Sequence, residues 1–311
     1  MRAGTASAGA VLAGVLITTQ SRVNASLAPR LGPHSAVPTG AVTFTVGLLA
    51  LLATSVATGA LRRGLRALRG RPRRPWWFAG GVGGACLVGS QAYTVPLAGV
   101  ALVTVCIVAG QLAGGLAVDR VGLSPSGHHA LTRARLGAAL LAAVGLVVAA
   151  AGAGRGATVL VVLLSLGAGA AVAVQQAANG HVGVASGEPL LAGLSSFAGG
   201  FVLLGVSTAV LLAAGVVGPV HGPGWSHAWL LLGGLFGSSY LVLSALVVRR
   251  LGLFRLSLAL TVGQLGAGVL YDAVIPTAEP LRGTTVAAVV LAVAAAAVSG
   301  LGHRAPSPAS G

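Results

Sequence analysis

The chain has 311 residues, 55% of them hydrophobic and only 7% charged, with a net charge of +15. A soluble domain carries about 25% charged residues, so this chain lacks the polar surface to cover a water-soluble particle, and its apolar face must meet lipid. All 19 basic residues are Arg. Basic residues gather in the cytoplasmic loops of membrane proteins, which accounts for the charge without nucleic acid as a partner.

A spanning helix needs about 20 apolar residues. Ten such runs are read in chain order: residues 8–28, 37–60, 76–96, 100–119, 133–153, 157–178, 189–214, 228–248, 254–275 and 283–301. The first run, with Arg2 before it, has the form of a secretory signal, but its pattern returns at the sixth run, where no signal could sit. Between the second and third runs, residues 62–75 carry seven Arg, followed by Trp76 and Trp77 as interface anchors. Cys86 and Cys106 lie inside apolar runs and read as small core residues. His128 and His129 lie in a solvated loop and make a poor metal site without a carboxylate or thiol beside them. The Pro/Ser-rich tail, 304–311, reads as disordered.

The runs repeat. A shift of 153 residues lays the third and fourth runs on the eighth and ninth. Trp76 then meets Trp229. Gly80, Gly81 and Gly84 meet Gly233, Gly234 and Gly237. Gly99 meets Gly252, Gln111 meets Gln264 and Asp119 meets Asp272. A shift of 155 lays Gln20 on Gln175 and Asn24 on Asn179. The chain holds two Asn and two Asp, and each pair falls on equivalent positions. The expected fold class is therefore all-α integral membrane: ten transmembrane helices as two inverted five-helix repeats, residues 1–155 and 156–303. With an odd number of helices per unit, the second copy enters the membrane upside down. A cytoplasmic amino terminus places Arg2, the seven Arg of 62–74, Arg120, Arg133, Arg135, Arg249, Arg250, Arg255 and Arg304 inside. Arg22, Arg30, Arg155 and Arg282 fall outside. That bias puts both termini in the cytoplasm.

Polar groups within lipid are costly and turn to the bundle interior. Gln20 and Asn24, and likewise Gln175 and Asn179, are spaced i, i+4 on one helix face. With Gln111 and Gln264 near mid-depth, these amides either line a solute site or brace the bundle. Arg22 either snorkels to the outer headgroups or attracts an anionic solute. A carboxylate at a helix C-terminus needs a cationic partner, so Asp119 is expected to pair with Arg135 and Asp272 with Arg282, as structural pins or gate latches. Gly80 with Gly84, Gly233 with Gly237, and Gly110 with Gly114 form small-xxx-small faces for close helix contact. No phosphate loop, nucleophile elbow or zinc motif is present, and four acidic residues leave acid–base chemistry little to work with. No enzyme activity, catalytic residue, cofactor or metal is expected. The partners are the lipid bilayer and a small molecule, with the chain a monomer or a homodimer.

The motifs Gln20-Ser21-Arg22-Val23-Asn24, Pro75-Trp76-Trp77 leading to Gly80-Gly81-Val82-Gly83-Gly84, and Ala109-Gly110-Gln111 running to Asp119-Arg120-Val121-Gly122 resemble the YdcZ-like branch of the drug/metabolite transporter superfamily. The resemblance covers nearly the whole first repeat and is weaker in the second. It implies a fused, double-length form in a bacterial cytoplasmic membrane that moves a metabolite or drug, as an exporter. Small multidrug transporters carry a Glu in the middle of their first helix for proton-coupled cation export. This chain has no acid there, which argues against that mechanism. The other reading is a non-transporting scaffold or accessory subunit. A central cavity reached by Gln111 and Gln264, in place of a closed bundle, distinguishes the two.

Overall fold

Hydropathy along the chain is spent on two different surfaces, one facing lipid and one facing the protein's own polar helices. The computed structural model describes residues 3–69, 75–125, 127–128, 132–152, 159–275 and 282–301. The expected tail 304–311, Arg2, Arg155, Arg304, His129 and residues 70–74 lie outside the described residues. Nothing is placed for the side chains of Arg249, Arg250 and Arg255.

The described residues form helices and no strand. In chain order these are α1 (Ala3–Leu31), α2 (Ala36–Ala57), α3 (Ala60–Leu68), α4 (Gly80–Ala98), α5 (Val100–Arg120), α6 (Arg133–Gly152), α7 (Val159–Ser186), α8 (Pro189–Ala213), α9 (Gly233–Val274) and α10 (Gly283–Leu301). Short 3-10 segments, Pro75–Ala79 and Trp225–Leu232, lead into α4 and α9. They carry Trp76 and Trp229, the pair matched by the 153-residue shift.

Two elements differ from the expected spans. The Arg-rich connection contains α3, a nine-residue helix whose Ala60, Gly64 and Leu68 form a buried stripe. Its Arg63 pairs with Glu188 at the start of α8. The hydrogen bond to Glu188 raises the Arg63 guanidinium above its ordinary range. The expected eighth and ninth spans are joined in α9, which has 42 residues. A straight helix of that length would reach about 63 Å at 1.5 Å per residue. It is not straight. Near one end Gly237 abuts Gln20 of α1. Tyr271, 34 residues on, meets the neighbouring Thr19 at 2.7 Å. Leu243 and Val247 reach Gly9, while Leu260 and Gln264 reach Gly14. The first half of α9 thus runs against α1 and the second half runs with it, so the chain doubles back between Val247 and Leu260. No proline lies within 233–274 to end the helix.

α7 is embraced in the same way. Gly80 and Gly84 of α4 meet Asn179 and Gln175, an antiparallel pairing, and Gly110 and Gly114 of α5 meet Leu166 and Ala170, a parallel one. α2 packs on α8 and α6 on α10. Phe44 of α2 and Phe197 of α8 meet with ring centroids 4.8 Å apart and planes tilted by 32°. Gly200 makes room for Phe44, and Gly47 for Phe197.

Among the described residues, five segments are long and apolar enough to cross a membrane: Ala36–Ala57, Val100–Arg120, Val159–Ser186, Pro189–Ala213 and Trp225–Ser244. Leu258–Val274 and Gly283–Val298 are shorter apolar stretches. α1 falls short in hydropathy because Thr18, Gln20, Ser21 and Asn24 interrupt it, yet all four are at most 3% exposed. Outward positions are the apolar ones: Leu140, Val147, Leu270 and Val290 are more than 60% exposed. Amides inside and leucine outside is the reverse of a soluble fold. Cys106 is buried as expected. Cys86 is exposed, a correction to its reading as a core residue, and both are free thiols.

Candidate functional site

Five of the amides singled out in the sequence surround one cavity of about 220 Å³: Gln20, Gln111, Gln175, Asn179 and Gln264. Gln20 and Gln175 sit on α1 and α7. The neighbouring α4 and α9 pass close because glycines face the amides. A Cβ at Gly84 would lie 3.1 Å from Gln175 Nε2, and one at Gly237 would collide with Gln20 Oε1. Gly80 similarly accommodates Asn179, and Gly233 accommodates Asn24, each at 2.6 Å from the amide oxygen. These four glycines were expected to form faces for close helix contact, and each does so as a socket for an amide from the opposite half of the chain. The backbone contacts are made by other glycines. Gly110 faces the Leu166 carbonyl and Gly263 the Val11 carbonyl, while Gly114 lies on the Ala170 backbone.

Gln111 and Gln264 are held by a matching device. Gly169 of α7 admits the Gln111 backbone, and Gly14 of α1 admits that of Gln264. Thr18 Oγ1 also donates to the Gln264 carbonyl at 3.2 Å. Gln175 Nε2 donates to Ser196 Oγ at 2.9 Å. Gln176, Tyr240, Ser244 and Phe197 complete the polar and aromatic wall, and no charged side chain is among its described lining residues. These four were not legible as site residues. Phe197 had a signal: the same 153-residue shift maps Phe44 onto it and Gly47 onto Gly200.

Two expected lining residues stand elsewhere. Asn24 is fully buried and accepts a 2.8 Å hydrogen bond from Thr43, so it braces α1 against α2. Arg22 is half-buried and is not among the described residues that line the cavity. The expected equivalence of two ion pairs also fails. Arg135 Nη1 lies 3.0 Å from Asp119 Oδ2. Asp272 instead accepts from the Val100 and Ala101 N–H groups at 2.9 and 2.7 Å. It caps the orphan donors at the start of α5, where a carboxylate is favoured by the helix dipole. Gly99, at φ +79°, allows this approach: a Cβ there would sit 2.8 Å from Asp272 Oδ2. Arg282 is exposed and its carbonyl accepts the first N–H bonds of α10.

The cavity is asymmetric. Through Asn179 and Leu241 it adjoins a second space of about 340 Å³ bounded by Gly180, Gly183, Pro189 and Gly193, at the α7–α8 turn. His181 at that end stacks on Trp77 with centroids 5.4 Å apart and contacts the Leu123 carbonyl at 3.1 Å. Towards the Gly99 turn the cavity is closed off by Val95, Val100, Val103 and Leu265, each at most 1% exposed; a separate space of about 590 Å³ lies beyond them between the α1–α2 turn and the end of α4. A side pocket of about 150 Å³ leads from Gln111 to the Asp119–Arg135 pair. Replacing Asp119 by Arg is expected to lower folded yield or activity, because two like charges then face each other. Exchanging Asp119 and Arg135 together is expected to restore most of the loss, measured as folded protein and as transport. A double exchange no better than the single change removes the pairing from the account.

The matching of contacts across the chain has a counterpart in its sequence. Residues 5–148, and again residues 160–298, match the family DMT_YdcZ, described as "Putative inner membrane exporter, YdcZ". The chain belongs to the YdcZ family. As a double-length YdcZ-family protein it is a multi-pass protein of the cytoplasmic membrane, a transporter of the drug/metabolite type. No curated protein matches the chain. A crystal structure matches over 96% of this chain and 97% of its own, with a TM-score of 0.56 and 22% identity, which is a likeness of fold.

Proposed function

We propose that the chain exports a small polar solute by alternating access, using ten spans arranged as two inverted five-helix repeats, residues 1–155 and 156–303. The observation that carries this is the reciprocity of the amide sockets. Gln20 of the first half sits on Gly237 of the second, and Gln175 of the second sits on Gly84 of the first. Both halves therefore wall one cavity. Helix directions support inversion. α1 runs with the second half of α9. That half runs against α5, since Asp272 meets Val100 and Gly268 meets Ala101 and Thr104. α5 runs with α7, so α1 and α7 point opposite ways. In secondary transporters, such repeats rock about a site near mid-membrane. A cavity that continues towards one end and is packed at the other corresponds to one of the two access states.

The arginine distribution orients that state. With both termini cytoplasmic, the α3 and α7–α8 end faces the cytoplasm, where an exporter takes up its cargo. Two measurements test the reading. A single Cys near Gly70, in a Cys-free background, is expected to resist an impermeant thiol reagent applied to intact cells and to react after permeabilisation. Labelling from outside reverses the orientation. Purified protein in liposomes is expected to catalyse solute counterflow; a preparation that is folded yet moves none of a broad panel of small solutes favours the scaffold reading.

A further inference from the structure

Resting on the transport reading, we propose that the solute is an uncharged, flat heterocycle edged by neighbouring N–H donors and carbonyl or ring-nitrogen acceptors: the nucleobase and cyclic-amide class. Three features of the cavity lead there.

The first is the lining chemistry. Gln111, Gln176 and Gln264 line the cavity, and each carries a carbonyl oxygen and an NH2 side by side. Such a group makes two parallel hydrogen bonds to an edge that carries a donor next to an acceptor, as Asn and Gln do to adenine. A half-turn of the amide reverses the order, so one amide can meet either polarity of edge.

The second is charge. No charged side chain is among the described lining residues. Asp119 and Arg135, in the side pocket beyond Gln111, lie 3.0 Å apart and offset each other, so an ion entering would lose its hydration without a net counter-charge, and that desolvation is far costlier than for a neutral polar group. Carboxylates, phosphates and ammonium compounds are disfavoured on this ground.

The third is shape. The walls between the amides are apolar and aromatic, with Phe197, Leu87, Val88 and Leu241 offering faces to a ring. A polyhydroxylated sugar presents polar groups on its whole rim and would leave several unmet against them. The cavity of about 220 Å³ exceeds the roughly 150 Å³ that holds a single benzene ring, a scale suited to one or two fused rings.

The test uses the full chain in lipid nanodiscs and in liposomes. Binding of radiolabelled hypoxanthine and uracil is measured at equilibrium, with choline, glutamate and glucose as competitors, and counterflow is measured for the same five compounds. Hypoxanthine or uracil is expected to bind and to exchange, with none of the three competitors displacing it at a hundredfold excess. Gln176→Leu, on an exposed position of the wall, and Gln111→Leu are each expected to weaken binding by at least tenfold at unchanged melting temperature. If a base binds but is never exchanged, the solute class stands and transport falls. If choline, glutamate or glucose is exchanged and the bases neither bind nor move, transport stands and the proposed class is overturned. If none of the five binds or moves in folded protein, the class is overturned as well. Base binding that both Leu variants retain in full overturns the assignment to this cavity.

Discussion

Gln111→Leu and Gln264→Leu are each expected to cut transport per folded molecule by tenfold or more, while expression and melting temperature stay near those of the parent. Both amides reach the central cavity, and they do so from opposite halves of the chain. Leu keeps similar bulk and removes the hydrogen-bonding pair. A partner left unsatisfied in a buried site costs about 1–3 kcal/mol, and each 1.4 kcal/mol or so is tenfold in an equilibrium. Stability is spared because what anchors these positions is backbone: the Gln264 carbonyl that accepts from Thr18 and the Gln111 and Gln264 amide nitrogens facing Gly169 and Gly14 survive the change. A purely bracing role gives the opposite pattern, lower melting temperature with transport reduced only in proportion to folded protein. Vesicle flux measured beside thermal unfolding separates the two. Variants that transport at the parental rate would shift the site to Gln20, Gln175 and Asn179.

The largest loss of stability is expected from Gly110→Ala and Gly263→Ala. A Cβ at Gly110 would enter the Leu166 carbonyl oxygen, and one at Gly263 the Val11 carbonyl oxygen. A flexible side chain could swing aside, but a helix backbone cannot without parting the two helices. Overpacking of this kind costs about 1–3 kcal/mol and sometimes more, here at the seam where α5 meets α7 and α9 meets α1. The same helices carry their own controls. Gly115 and Gly266 have nothing within 4 Å of a built Cβ, so Ala there is expected to be neutral or to stabilise by up to about 1 kcal/mol through helix propensity. Thermal unfolding in detergent should rank Gly110 and Gly263 together, far below Gly115 and Gly266. If all four fall equally, glycine acts through backbone flexibility and not through contact.

Much of this arrangement was legible in the order of residues. Scarce polar residues placed at equal spacing pointed to matched positions, and Gln20, Gln111, Gln175, Asn179 and Gln264 do gather at one cavity. What the residues touch was less accessible. A helix that is apolar all round has no polar stripe to say which way it faces, so the sequence could not tell that Gly84 receives Gln175 while Gly110 receives a carbonyl. Asn24 and Asn179 are equivalent in spacing, yet Thr43 holds the first inside the bundle and the second borders the cavity. Asp272 and Asp119 are equivalent too, yet Asp119 pairs with Arg135 while Asp272 meets helix-starting N–H groups beside a positive-φ glycine; its partners lie 171 and 172 residues away in the chain. α3 escaped because its stripe of Ala60, Gly64 and Leu68 is short and built of small residues among arginines.

The exchange of amides for sockets across the two halves has a consequence for how such a chain can change over time. A freshly duplicated gene is free to drift in either copy, but here an altered groove in one copy strands a polar group of the other inside lipid. Gly84 cannot be lost without answering for Gln175, nor Gly237 without Gln20. Substitution is therefore expected to be tolerated at the lipid-facing leucines and valines and to be costly along the seam. Either half produced alone is expected to be poorly stable, because its amides would have no groove to receive them. Co-production of the two halves as separate polypeptides should rescue both.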